Sequence, residues 1–136
     1  EHEPFKIISD TVEDIIQTIW HERSSLDLKT FMTTCWGAIY SRGDYSEPHQ
    51  HIPALYSWVY YVKCDEESAP LHFNWFPGHT YKPTPGKGII FPGYVQHNVP
   101  AHKSDNERII VVGNVEGTGE VTYPQVPLEE RFYKIK

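Results

Sequence analysis

Between residues 11 and 23 the apolar side chains Val12, Ile15, Ile16, Ile19 and Trp20 recur at intervals of three and four, which predicts a helix with one buried stripe. Asp10, three residues ahead of Glu13, has the form of a capping box at its start. Beyond Leu28 the period shortens. Runs of aromatic and β-branched residues, cut by Gly, Pro, Asn and Asp, predict strands at 29–40, 55–63, 71–76, 88–91, 108–115, 120–123 and 131–135, with an opening strand at 5–8. Prolines 70, 77, 83, 85, 92 and 100 fall at the ends of these runs, where a missing N–H breaks no ladder. The pattern predicts a mainly β chain with one N-terminal packing helix, an antiparallel sandwich or jelly roll rather than a parallel α/β sheet.

The 136 residues suit a single domain spanning 1–136, large enough to bury a continuous core without disulfide staples. A formal charge of −6 with no basic run argues against nucleic acid or an anionic membrane as partner, and favours a small-molecule or peptide substrate. Cys35 and Cys64 form neither a disulfide framework nor a metal knuckle, which fits a reduced, cytoplasmic compartment. No apolar run approaches the roughly 20 residues that span a bilayer. The chain opens with Glu1 and not Met, so processing of a leading segment stays open.

Chemistry concentrates in Gly43-Asp44-Tyr45-Ser46-Glu47-Pro48-His49-Gln50-His51, answered by Phe91-Pro92-Gly93-Tyr94-Val95-Gln96-His97 and then by Arg108. On an extended strand the two-residue period would turn His49 and His51 to one face, where His97 from a later segment completes a facial set. Three converging imidazoles define a metal site before they define its metal. Arg108 beside them reads as an anion clamp. The bland readings are surface histidines and a cross-strand ion pair for Arg108. His72, His79 and His102 fall near strand ends or in loops and are expected to face solvent.

The spacing of Gly43 to His-x-His, then Ser57-Trp58-Val59-Tyr60-Tyr61-Val62, then Phe91-Pro92-Gly93 with His97, then Glu107-Arg108-Ile109-Ile110-Val111-Val112-Gly113-Asn114, resembles the small 2-oxoglutarate- and Fe(II)-dependent oxygenases of bacteria and marine phages. The resemblance covers residues 35–115. It implies a double-stranded β-helix, the cupin-like jelly roll, with Fe(II) held by His49, His51 and His97 and 2-oxoglutarate as cosubstrate. It places Arg108 on the distal carboxylate of 2-oxoglutarate. Tyr61, which shares parity with Ser57 and Val59, would add a hydroxyl there, or Tyr60 if the register slips by one. Asn114 would be polar lining. The implied activity is a non-haem Fe(II) dioxygenase of hydroxylase type.

Two positions depart from that pattern. His51 stands where these oxygenases usually carry a carboxylate, with Glu47 as an alternative donor of the same parity, and Ile110 stands where a serine often follows the arginine. A three-histidine cupin that does not use 2-oxoglutarate is the rival enzyme. A non-catalytic jelly-roll binding module or viral structural module is the rival outside enzymology. Trp36, Tyr40, Trp58, Trp75 and Tyr94 are candidates for the pocket wall, but the loops at 63–70, 77–85 and 100–106 carry no motif that names a substrate.

Overall fold

The computed structural model describes residues 3–24, 28–75, 78–118 and 133–135. Helix α1, Glu3–Arg23, is followed by strands β1 Thr30–Tyr40, β2 Ser46–His49, β3 Tyr56–Lys63, β4 Leu71–Phe73, β5 Thr80–Tyr81, β6 Gly88–Pro92, β7 His97–Val99, β8 Arg108–Gly117 and β9 Tyr133–Ile135. The pairings are antiparallel, in a five-stranded sheet of order β1-β8-β3-β6-β9 and a four-stranded sheet of order β2-β7-β4-β5. This is the mainly β, jelly-roll architecture with one packing helix that the pattern predicts.

The helix begins earlier than its sequence signals. Residues 5–8, expected as a strand, form the second turn of α1, because Phe5 and Ile8 extend the stripe of Val12, Ile16 and Ile19 at helical spacing. Asp10 therefore lies inside the helix and caps nothing; its carboxylate takes the Lys6 ammonium one turn back at 2.5 Å. Pro4 occupies the first turn, where its missing N–H leaves no intrahelical bond unmade. The expected strand at 71–76 stops at Phe73, and that at 120–123 lies outside the described residues.

Strand parity divides the apolar residues into two cores. Tyr56, Trp58, Ile90, Val111 and Val115 face outward and receive Val12, Ile16 and Trp20 of α1. Val59, Tyr61, Ile89, Phe91 and Ile110 face inward and meet Leu71, Phe73, Val95 and Val99 of the second sheet. At about 25 cal/mol per Å² of apolar surface, each fully buried side chain of this size contributes roughly 1.5–3 kcal/mol before entropy is counted.

Strand β1 lies at the sheet edge, and α1 covers the start of it. The Thr30 amide donates to Gln17 Oε1 at 2.9 Å and the Met32 amide to Glu13 Oε2 at 3.1 Å, so donors that β8 cannot reach are satisfied by the helix. Gln17 Nε2 donates in turn to the Leu28 carbonyl at 3.1 Å.

Candidate metal centre and anion pocket

His49 ends β2, and Pro48 does not stop the strand from pairing with β7, where His49 stands opposite His97. His51 is not on that strand. It lies two residues beyond, where its amide donates to the Gly93 carbonyl at 2.7 Å and its carbonyl accepts from Ala54. The convergence expected from a shared strand face is thus achieved by a turn anchored to a distant glycine.

The three imidazole rings lie 4.4 to 5.2 Å apart between centroids, and one ring nitrogen of each falls within 4.8 Å of the other two. His97 Nδ1 faces the Val95 carbonyl at 2.9 Å and His49 Nδ1 the Glu47 carbonyl at 2.6 Å. A carbonyl accepts only, so Nδ1 carries the proton in both rings and Nε2 keeps its lone pair for a cation. Burial lowers the pKa of His97 to about 4, against the raising effect of the Val95 bond, with His49 and His51 adding to the fall. His51 is lowered by burial and then by His49. Neutral rings at pH 7 are what a metal requires. The Glu47 carboxylate is exposed and does not belong to the cluster, so the alternative donor is set aside.

Arg108 opens β8 and is fully buried, and Nε and both Nη atoms have no hydrogen-bond partner. Its guanidinium lies between two rings, 4.7 Å from the centroid of Tyr40 and 5.2 Å from that of Tyr61. The ion pairs among the described residues, Lys6–Asp10, Arg42–Asp105 and Lys63–Glu107, do not involve it, so the cross-strand ion pair is not what is found. An unpaired buried cation is costly, and the arrangement is complete only with an anion. Tyr61 is the inward tyrosine; its buried hydroxyl lies close enough to the Arg108 guanidinium to feel its charge but completes no hydrogen bond of good geometry with it, and Tyr60 points to the other face. Burial pushes Tyr61 up to about 12, while Arg108 pulls it down, so the phenol stays a donor.

A cavity of about 90 Å³ joins these groups, lined by His49, His51, His97 and Arg108 together with Trp36, Tyr40, Ser57 and Asn114. Its walls, Leu71, Phe91, Val99 and Ile110, are apolar. A larger cleft of about 550 Å³ lies between α1 and β1, but no histidine or arginine lines it, and its acids Asp10 and Glu13 are already bonded to Lys6 and Met32. The chemistry belongs to the smaller space.

Asn114 is fixed on both sides. The Ser57 hydroxyl donates to its Oδ1 at 2.8 Å, and its Nδ2 donates to the Thr34 hydroxyl at 2.9 Å. Sequence reasoning named Asn114 and gave Ser57 the parity of Tyr61, but it did not join the two, and it named neither Thr34 nor Tyr40 as a face for Arg108; the signal available was a lone serine in an apolar strand. Of the expected wall aromatics, Trp36, Tyr40 and Trp58 reach the cavity, whereas Trp75 and Tyr94 pair with each other at 5.8 Å. No described residue of the loops at 63–70, 77–85 and 100–106 lines it. His102, expected in solvent, is buried: Nδ1 accepts from the Ala69 amide at 3.3 Å and Nε2 meets the Asn106 carbonyl at 2.7 Å.

Residues 68–114, which carry His97, Arg108 and Asn114, match the family model described as "Putative 2OG-Fe(II) oxygenase". No curated protein matches the chain by sequence. Among solved structures, an oxidoreductase of the 2OG-Fe(II) oxygenase family from Burkholderia pseudomallei is similar with a TM-score of 0.61 at 15% identity, over 79% of this chain and 57% of that one. A Pseudomonas putida prolyl-4-hydroxylase has a TM-score of 0.52 at 24% identity, over 62% and 51%. The protein YhaK from Escherichia coli has a TM-score of 0.55 at 14% identity, over 78% and 42%. At these identities the likeness is one of fold, and the chain spans about half the length of the structures it resembles.

Proposed function

We propose that this protein is a 2-oxoglutarate- and Fe(II)-dependent oxygenase of hydroxylase type. The observation that carries the reading is Arg108, a buried guanidinium without a partner in the same small cavity as three converging imidazoles. A metal without a keto acid would explain the histidines and leave that cation unexplained.

His49, His51 and His97 fit the ion: three lone pairs converge, and two of the rings are held from behind by carbonyls. When bound, Fe(II) and 2-oxoglutarate supply the oxidising chemistry, in which the keto acid is decarboxylated to succinate and oxygen enters the substrate. Arg108 takes the distal carboxylate, its planar fork suited to two oxygens, and Tyr40 and Tyr61 keep that fork from rotating. Tyr61 offers its phenol proton to the same group. Leu71, Phe91, Val99 and Ile110 keep the cavity dry, which strengthens each of these polar contacts. The substrate is a small molecule or peptide, and the compartment cytoplasmic; no helix among the described residues is long and apolar enough to cross a membrane.

Anaerobic reconstitution with Fe(II), followed by titration with 2-oxoglutarate, tests the reading through the visible metal-to-ligand charge-transfer band. The band is expected in the parent, absent in His97→Ala and strongly weakened in Arg108→Ala. Tight iron binding with no band would instead identify a three-histidine cupin, and failure to bind iron a non-catalytic module.

A further inference from the structure

The inward face of the five-stranded sheet is built in rungs. Across β1, β8 and β3, Trp36, Val112 and Val59 share one level, Ala38, Ile110 and Tyr61 the next, and Tyr40 stands beside Arg108 at the end. At the opposite end the rung is Thr34, Asn114 and Ser57. Six residues at about 3.3 Å per residue separate Asn114 from Arg108, about 20 Å along β8. The cavity therefore has a cationic end and a neutral polar end, with apolar levels between.

At the neutral end, Asn114 has a fixed orientation. A carboxamide has two N–H donors and two acceptor lone pairs. Thr34 takes one donor from the β1 side and Ser57 fills one lone pair from the β3 side. Because these partners stand on opposite flanks, what remains is one N–H and one lone pair side by side on the edge of a planar group. Ser57 is buried and Asn114 half-buried, while Thr34 at the sheet edge is exposed, so the network runs from the barrel wall out to its rim. Arg108 is the one charged residue in the cavity lining apart from the histidines, so the lining at the Asn114 end offers no charged side chain to balance a carboxylate or an ammonium. Trp36, one level away and 43% exposed, offers an aromatic surface open to solvent.

We propose that the Thr34–Asn114–Ser57 rung is the specificity element for the primary substrate, and that it reads a planar amide edge, a carboxamide or a cis-lactam, seated against Trp36. The proposal rests on the oxygenase reading for calling that ligand a substrate. A reciprocal pair of hydrogen bonds discriminates, because an analogue without the N–H would cover the half-buried Asn114 carboxamide and leave its lone pair unmatched.

The test is a titration of the full chain, followed by the Trp36 indole N–H resonance, with acetamide, 2-pyrrolidone and cyclopentanone. The first two carry donor and acceptor together and separate a side-chain amide from a lactam; the third has the acceptor alone. A saturable shift is expected with acetamide or 2-pyrrolidone, at least tenfold weaker with cyclopentanone, and reduced about tenfold by Asn114→Leu. Thr34→Val, which releases the amide without altering the cavity's own lining, should weaken the same ligand several-fold and serves should the Asn114 variant fail to fold. Equal binding of the ketone, no saturable shift, or amide binding unchanged in both variants would overturn the proposal. If that happens in a chain that still forms the 2-oxoglutarate band, the amide assignment alone is lost; if the band itself is missing, the oxygenase reading fails separately.

Discussion

The amide of His51 donates to the carbonyl of Gly93 at 2.7 Å, so the third metal ligand is placed by a residue forty-two positions away in the chain, 93 minus 51, and not by its own strand. Gly93 has no room for a side chain, because a Cβ there would collide with the Ala54 carbonyl. That atom is backbone and cannot swing aside. Gly93→Ala is expected to weaken Fe(II) binding about 10–100-fold, the range for disturbing groups behind a ligand. Anaerobic metal titration checks it, with circular dichroism to show that the sheets persist.

Among the described residues, the protein leaves the buried Arg108 guanidinium without a counter-charge of its own. Replacing a buried, uncompensated cation by an apolar side chain of similar length is expected to stabilise the ligand-free protein by about 1–4 kcal/mol. Arg108→Met should therefore melt at a higher temperature than the parent while failing to respond to 2-oxoglutarate. A lower melting temperature would mean that the stacking between Tyr40 and Tyr61 outweighs the desolvation cost.

His97 sets a pH limit on the metal-free chain. Its folded pKa of about 4 lies below the usual histidine value of about 6.5, so between those values the unfolded chain binds the proton and the folded chain does not. Stability is full above about pH 6.5, falls as pH drops toward about 4, and levels off below, for a loss on the order of 3 kcal/mol. Urea unfolding at a series of pH values measures it, and His97→Gln should flatten that part of the profile.

Gly113 gives the Trp58 ring its place against β8. A Cβ there would meet the Thr34 carbonyl at 2.5 Å and the Trp58 ring at 2.7 Å. Gly113→Ala is expected to cost about 1–3 kcal/mol, as overpacking does, and to push the start of β1 away from β8. Thermal denaturation gives the first effect. The second should appear as a disturbed Trp58 indole resonance, since that N–H donates to the Met32 sulfur at 3.3 Å.

What could be read from the chain was what depends on near neighbours. Period two in Ser57-Val59-Tyr61 put Tyr61 on the inward face, the family pattern singled out Arg108 and Asn114, and three histidines with an arginine named the site. What could not be read was what depends on partners far along the chain. Strands β2, β5 and β7, two to four residues long, are too short to show a period; β2 and β7 exist because β7 pairs with both β2 and β4, and β5 because it pairs with β4. Phe5 to Ile8 could be read either way, since a short apolar run fits helix or strand until its continuation is fixed by packing, here against Gly37 of β1. His102 looked like a loop residue because nothing local reveals that Ala69 and Asn106 close around it.

The placement of the ligands on β2, the turn after it and β7 has a mechanical meaning. β2 is a four-residue strand at the edge of its sheet, held to β7 by a pairing whose register shifts between Ser46 and His49. An ion shared by His49, His51 and His97 would rivet that edge to its neighbour, as a cross-link does, and would stiffen one whole side of the barrel. Cofactor loading and the tightness of the barrel wall would then be a single variable, and iron availability would set how long the protein survives as well as whether it works.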